Sequence, residues 1–119
     1  MKNVSLFESS RSFVIYSYDA SWRVLLLRSR KTKETPTRLD ILFQDVKAME
    51  IRTWFEGLTI EEVDATFLEG FRSNPAQMME HGHRVYALRS VGWHGFILGG
   101  IVSFKEDDGD YYAPSGLIG

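Results

Sequence analysis

Cysteine is absent from the 119 residues, so neither a disulfide nor a thiolate metal site can form, which fits a reducing compartment. Long hydrophobic runs are absent too. The most apolar stretch, Gly95 to Phe104, is about half of what a membrane-spanning helix needs. The start, Met1-Lys-Asn-Val-Ser-Leu-Phe-Glu8, reaches an acidic residue before any apolar segment long enough for a signal peptide. A cytoplasmic protein with no membrane partner is the expectation. Internal repeats and low-complexity tracts are missing. No Gly-x-Ser-x-Gly elbow, phosphate-cradling glycine loop or His-Glu-x-x-His occurs. No catalytic residue, metal ligand or cofactor is therefore assigned, and an enzyme would have to be assembled from residues scattered along the chain.

A large excess of positive charge is also lacking. The net charge is −2, made of +3 over residues 1–60 (ten Lys/Arg, seven Asp/Glu) and −5 over residues 61–119 (four against nine). Phosphate recognition needs concentrated positive charge, so nucleic acid is not an expected partner. The second half can instead supply an acidic face.

What the chain does contain is apolar and aromatic. Hydrophobic residues make up 44% and charged residues 25%, which places it among globular proteins rather than disordered ones, at the size of a single domain over 1–119. Aromatics at 13% favour strands, where flat and branched side chains pack on a pleated surface.

Phe13–Tyr18 and Trp22–Leu27 predict two strands joined by the polar link Asp19-Ala-Ser21. The basic segment Arg28 to Thr37, containing Pro36, reads as a loop. Leu39, Ile41 and Phe43 alternate with Arg38, Asp40 and Gln44 as in a half-buried strand. After a turn at Gln44-Asp45, Val46 to Phe55 predicts another strand, ended by Glu56-Gly57. Thr59 and Glu62 form a capping-box pair, Leu58 and Val63 a hydrophobic staple, and Ile60, Val63, Phe67 and Phe71 recur at helical spacing. These predict a helix from Thr59, with a strand through Leu58–Val63 as the rival. Asn74-Pro75 opens a second short helix that runs to about His81 and stops at Gly82. Arg84–Arg89 and Phe96–Phe104 are strands about a turn at Val91–Gly95, with Gly99-Gly100 marking a bulge or bend. The tail, 110–119, reads as irregular. The expected class is α+β: a strongly curved, mainly antiparallel sheet of about six strands packed against one or two short helices.

Four features could carry chemistry. His81 and His83 would place both rings on one side of an extended segment, with Glu80 or His94 as a third metal ligand. No further ligand stands at familiar spacing, and a helix end accounts for them as well. Glu106-Asp-Asp-Gly-Asp110 lacks the spacing and distal glutamate of an EF-hand loop and reads as a solvated turn. Arg28, Arg30, Lys31, Lys33 and Arg38 form a basic cluster, either a phosphate contact or, without interleaved aromatics to stack on, a solvated mobile loop. Aromatics near turns are the positive sign: Trp54 and Phe55 before Glu56-Gly57, Trp93 in the 91–95 turn, and Tyr111 and Tyr112 after the acidic run. Protein interfaces concentrate such anchors.

The run Ile41-Leu-Phe-Gln-Asp-Val-Lys-Ala-Met-Glu-Ile51, followed by Phe55-Glu-Gly-Leu-Thr-Ile60 and by Tyr111-Tyr-Ala-Pro-Ser115, resembles segments of small bacterial proteins grouped with the immunity proteins of polymorphic toxin systems. The resemblance covers under a third of the chain and implies a non-enzymatic inhibitor that binds a partner toxin. It transfers no binding residues. The leading expectation is a protein-binding module presenting Trp54, Phe55, Trp93, Asp107, Asp108, Asp110, Tyr111 and Tyr112 to another protein, a basic toxin domain being the kind that an acidic face would capture. The alternative is a small-molecule-binding or enzymatic domain whose curved sheet encloses an apolar pocket lined by Trp22, Phe43 and Phe96. Self-association through exposed aromatics into a homo-oligomer is a third.

Overall fold

The structure is a computed structural model that describes residues 3–118. Eight antiparallel strands follow one another as β1 (Val4–Asp19), β2 (Val24–Ser29), β3 (Arg38–Phe43), β4 (Ala48–Glu50), β5 (Trp54–Val63), β6 (Arg84–Ser90), β7 (Trp93–Gly99) and β8 (Val102–Asp107). Their order across the sheet is β4-β7-β6-β5-β1-β2-β3-β8. The end strands β4 and β8 are continuations of β3 and β7. Both arms pair, β3 with β8 and β4 with β7. Across the bend, Gln44 N–H donates to Ile101 O, Gly100 N–H to Gln44 O and Lys47 N–H to Leu98 O at 2.7–2.9 Å. The two ends of the sheet therefore meet, and six chain segments close into a barrel-like ring. Closure gives the backbone groups of edge strands a partner.

Against about six expected strands there are eight, because Leu58–Val63 is strand rather than helix and Phe96–Phe104 divides; within the ring, two of the six segments break at their bends. Asp45 takes φ +52° at one. At the other, Gly99 and Gly100 lie so close to the Gln44 and Asp45 carbonyls that a Cβ would stand 3.2 Å from them. The glycine pair divides the predicted Phe96–Phe104 strand into β7 and β8 rather than bulging it.

Strand alternation sends Phe13, Leu25, Leu27, Ile41, Phe43, Leu58, Ile60, Tyr86, Leu88 and Ile97 into the ring, where they form one buried cluster. Cross-strand partners share a face, as Leu25 with Phe43 and Leu27 with Ile41 show. Burial raises the pKa of the Tyr86 phenol, whose O–H donates to Gly100 O. A second cluster lies outside the ring: Val85, Ala87, Phe96 and Leu98 on β6 and β7 are covered by Leu68 and Phe71.

The cover is made of two short 3-10 helices, Ala65–Gly70 and Pro75–Met78, and no α-helix occurs among the described residues. The helix expected from Thr59 is a correction. Leu58 to Val63 belong to β5, with Thr59 opposite Arg89 and Glu62 opposite Tyr86. Ile60 faces inward and Val63 outward, so a strand buried on both faces imitates helical spacing. The true cap is Asp64, whose carboxylate accepts from Thr66 N–H at 3.0 Å and is thereby held below its ordinary pKa. Asn74 and Pro75 do open the second 3-10 helix, which ends at Met78 rather than near His81. The strand expected over Val46–Phe55 is also corrected: β4 holds three residues, and β5 begins at Trp54 and runs through Gly57, whose φ of +76° replaces a turn. Trp22 precedes β2 and lies in the tight β1–β2 turn. There Asp19 Oδ1 accepts from Ser21 N–H and Trp22 N–H.

Candidate functional site: a groove where two strands part

The β1·β2 ladder runs from Asp19↔Val24 to Val14↔Arg28 and stops. Beyond it β1 swings toward β5, with a register shift between Ser9 and Ser12, while β2 stays with β3 through Ser29↔Leu39. The fork leaves a groove of about 620 Å³, within the range of ligand clefts. Ser10, Arg11 and Ser12 line one side and Arg28, Ser29 and Arg30 the other; Thr32, Glu34 and Thr35 close the end, and Trp54 and Tyr111 form flat walls. Arg11 spans the fork. Its guanidinium donates to Ser29 Oγ at 3.1 Å, to Thr37 Oγ1 at 3.3 Å and to Thr37 O, and lies 3.8 Å from Glu106.

Arg28, which lines the groove, belongs to a buried cluster of charge. Arg28 and Asp40 stand opposite each other on β2 and β3, bonded twice at 2.7 and 3.0 Å, and both are about 1% exposed. Arg38, opposite Asp107, bonds it twice at 3.0 Å. That pairing raises the pKa of Arg38 and, with the Gly109 N–H, lowers that of Asp107. The remaining guanidinium donors hold the tail: Arg28 donates to Tyr111 O and Ala113 O, and Arg38 to Asp110 O, Ala113 O and Pro114 O. Residues 108–118 contain no helix or strand, yet they are clasped through five carbonyl contacts. The Tyr16 ring lies 4.1 Å from the Arg28 guanidinium and 5.2 Å, edge-on, from Tyr111, which is 4.9 Å from Tyr112.

The structure thus divides the residues singled out in the sequence. Trp54 and Tyr111 come together on the groove, with Tyr112 beside them. Trp54 is 55% and Tyr112 85% exposed. Phe55 is buried and Trp93 packs edge-on against it at 5.2 Å as part of β7, so Phe55 belongs to the core. Asp107 is occupied by Arg38, Asp110 pairs with Lys31 at 3.2 Å, and Lys31 also donates to Asp108 O. The basic cluster is not one mobile loop: Arg28 and Arg38 are buried strand residues, and Arg30 stays exposed. The expected interior pocket does not form from its predicted lining. Phe43 and Phe96 sit in separate buried clusters and Trp22 is on the surface.

The histidines part company as well. His83 Nδ1 accepts from Glu80 N–H and its Nε2 lies 3.0 Å from Asp45, whereas His94 stacks edge-on against Phe67 and Phe71. Among the described residues no three metal-ligating side chains converge.

Sequence reasoning missed Arg11, Ser10 and Ser12. Their signal was the polar run Ser9-Ser-Arg-Ser12 directly before Phe13, which interrupts an otherwise strand-like segment.

The fold and groove define the class only as an antiparallel, ring-closed β domain with a polar and aromatic surface cleft. Comparison with protein-family models, with curated proteins and with solved structures gave no match.

Proposed function

We propose that this chain is a non-enzymatic protein-binding module that meets its partner at the rim of the β1–β2 groove. The observation carrying the proposal is the exposure of Trp54, which lines the groove, and of Tyr112, which packs on the lining residue Tyr111, next to Arg28 held in a buried ion pair with Asp40. Large aromatics on rigid strands lose little conformational freedom on binding, which makes them efficient anchors. A ring filled by its own side chains favours surface recognition over an enclosed ligand.

Within this reading an immunity-type inhibitor is the finer proposal. Its support is the sequence resemblance, whose Tyr111–Ser115 part coincides with the tail clasped by Arg28 and Arg38. The exposed carboxylates of Asp108 and Asp110 would then steer a basic toxin domain toward the rim.

The test is affinity co-purification from the native cell with three baits: wild type, Trp54→Ala/Tyr112→Ala, and a surface control, Val91→Ala. A partner held by wild type and the control but depleted more than about tenfold on the double variant is expected, given the size of aromatic hot spots. A partner retained by the double variant refutes the rim. If the partner is a toxin, co-expression restores growth and the double variant does not.

A further inference from the structure

We infer that the groove is an acceptor for an extended acidic segment of the partner, which adds as a short strand in the fork between β1 and β2. The inference rests on the protein-binding reading and specifies what is bound.

Three observations lead to it. The ladder ends at Val14↔Arg28, so beyond that point Ser10–Ser12 and Ser29–Arg30 are joined by no strand pairing. The Arg11 guanidinium bridges them at Ser29 Oγ and Ser29 O, and the Arg11 N–H is turned to Ser9 Oγ, so an incoming main chain would pair at Ser10, Ser12 and Arg30. An open strand edge alternates N–H donors and C=O acceptors, which another peptide backbone matches. A polynucleotide backbone presents acceptors alone and needs a row of cations.

The second observation is the charge of the lining, three arginines against Glu34. Arg28 is held by Asp40 at 2.7 Å and Arg11 lies 3.8 Å from Glu106. Arg30 is exposed and, among the described residues, forms no ion pair. One free guanidinium with its planar fork of donors fits one carboxylate, not a run of phosphates.

The third is the pair of walls. Trp54 and Tyr111 give flat apolar surface on the face that Arg28 and Arg30 share, where the side chains two residues from the acidic one would lie. The segment's main chain would pair along the fork, its carboxylate would meet Arg30, and apolar residues two positions away would lie on Trp54.

The test is selection from a displayed library of random eight-residue peptides on wild type, Arg30→Gln and Arg30→Glu, each first shown to be folded by circular dichroism. Wild type is expected to enrich peptides with Asp or Glu at one fixed position. Arg30→Gln should lose that preference, and Arg30→Glu should exchange it for Lys or Arg. A selected peptide should slow amide exchange at Ser10, Ser12 and Arg30 more than tenfold. Enrichment of basic peptides whose binding depends on Asp108 and Tyr112 overturns the acceptor while leaving the protein-binding reading intact. No enrichment by folded wild type overturns both. Displacement of the selected peptide by a ten-residue oligothymidylate at equal concentration replaces the peptide with single-stranded nucleic acid and also overturns it.

Discussion

Asp107 lies between two donors, the Arg38 guanidinium at 3.0 Å and the Gly109 amide at 2.9 Å, and these hold its carboxyl below the usual range. A carboxyl whose folded pKa is depressed adds stability above its unfolded value, about 3.9, and loses it as pH falls through the folded value. Stability should therefore decline below about pH 4. In Asp107→Asn this acid limb should be shallower and the neutral-pH stability lower, measured as urea midpoints from pH 7 to pH 2.5. An unchanged slope would mean that the pair is not felt in solution. Asp64 and Glu80 are lowered as well, by Thr66 N–H and by Lys47, so part of the limb should persist. Asp40 is shut from water between two arginines. Asp40→Ala should cost about 3–5 kcal/mol by leaving Arg28 buried without its partner. Replacing Arg28 and Asp40 together by Met and Leu should cost much less, which thermal melts of the two variants would show. None of this pairing was legible in the sequence. Arg28 and Arg38 stand in a basic run that resembles a loop, and their partners are fixed by strand register rather than by spacing along the chain.

At the scale of elements, alternation was a dependable guide where one face of a strand meets the core and the other is polar or ion-paired. Leu39, Ile41 and Phe43 face inward from β3 as their spacing predicts, though the strand is buried throughout rather than half-buried, its other face carrying Arg38, Asp40 and Leu42. It misled where both faces are buried, because Ile60 and Val63 satisfy a strand with two covers and a helix with one. The capping box at Thr59 was coincidence, and Asp64, five residues later, carries the cap that forms. The groove was half legible. Trp54 and Tyr111 stood out as aromatics near turns, but nothing local says that β1 and β2 part at Val14. Strand crowding gives the element-scale prediction. At Gly95 an added Cβ would stand 2.0 Å from Glu50 O, backbone against backbone, on the β4·β7 pairing. Gly95→Ala must push β4 outward and should lower stability by about 3 kcal/mol or more. Amide exchange should speed up at Ala48–Glu50 before it does in β2 or β3. Equal protection across these strands in the variant would contradict the contact.

Taken whole, the molecule is two three-strand meanders, β1–β2–β3 and β5–β6–β7, sewn together along two seams. Each meander can form from neighbouring hairpins, but the seams cannot. The β1·β5 seam joins Val4 to Glu62 and Val14 to Trp54, and the second joins Arg38 to Asp107. Closing such distant pairs costs chain entropy before the buried core of the ring offsets it, which is why sheet proteins dominated by distant pairings fold slowly. The curvature that makes the seams meet was visible in part, since Gly99-Gly100 announced a bend. The meeting itself was not, because it depends on β3–β4 and β7–β8 bending at matched positions. Refolding should accordingly be single-exponential and fall between milliseconds and seconds at 25 °C. Trp93 serves as the reporter, since it packs from β7 on Phe55, whose β5 position pairs with Phe13 on the β1·β5 seam. Leu26→Ala, within the first meander, should mainly speed unfolding. Leu58→Ala, on the β1·β5 seam opposite Ser9, should slow folding by a larger factor than Leu26→Ala does. Stopped-flow chevrons of the three proteins would check this, and refolding complete within microseconds would mean that the ring does not assemble by closing its seams.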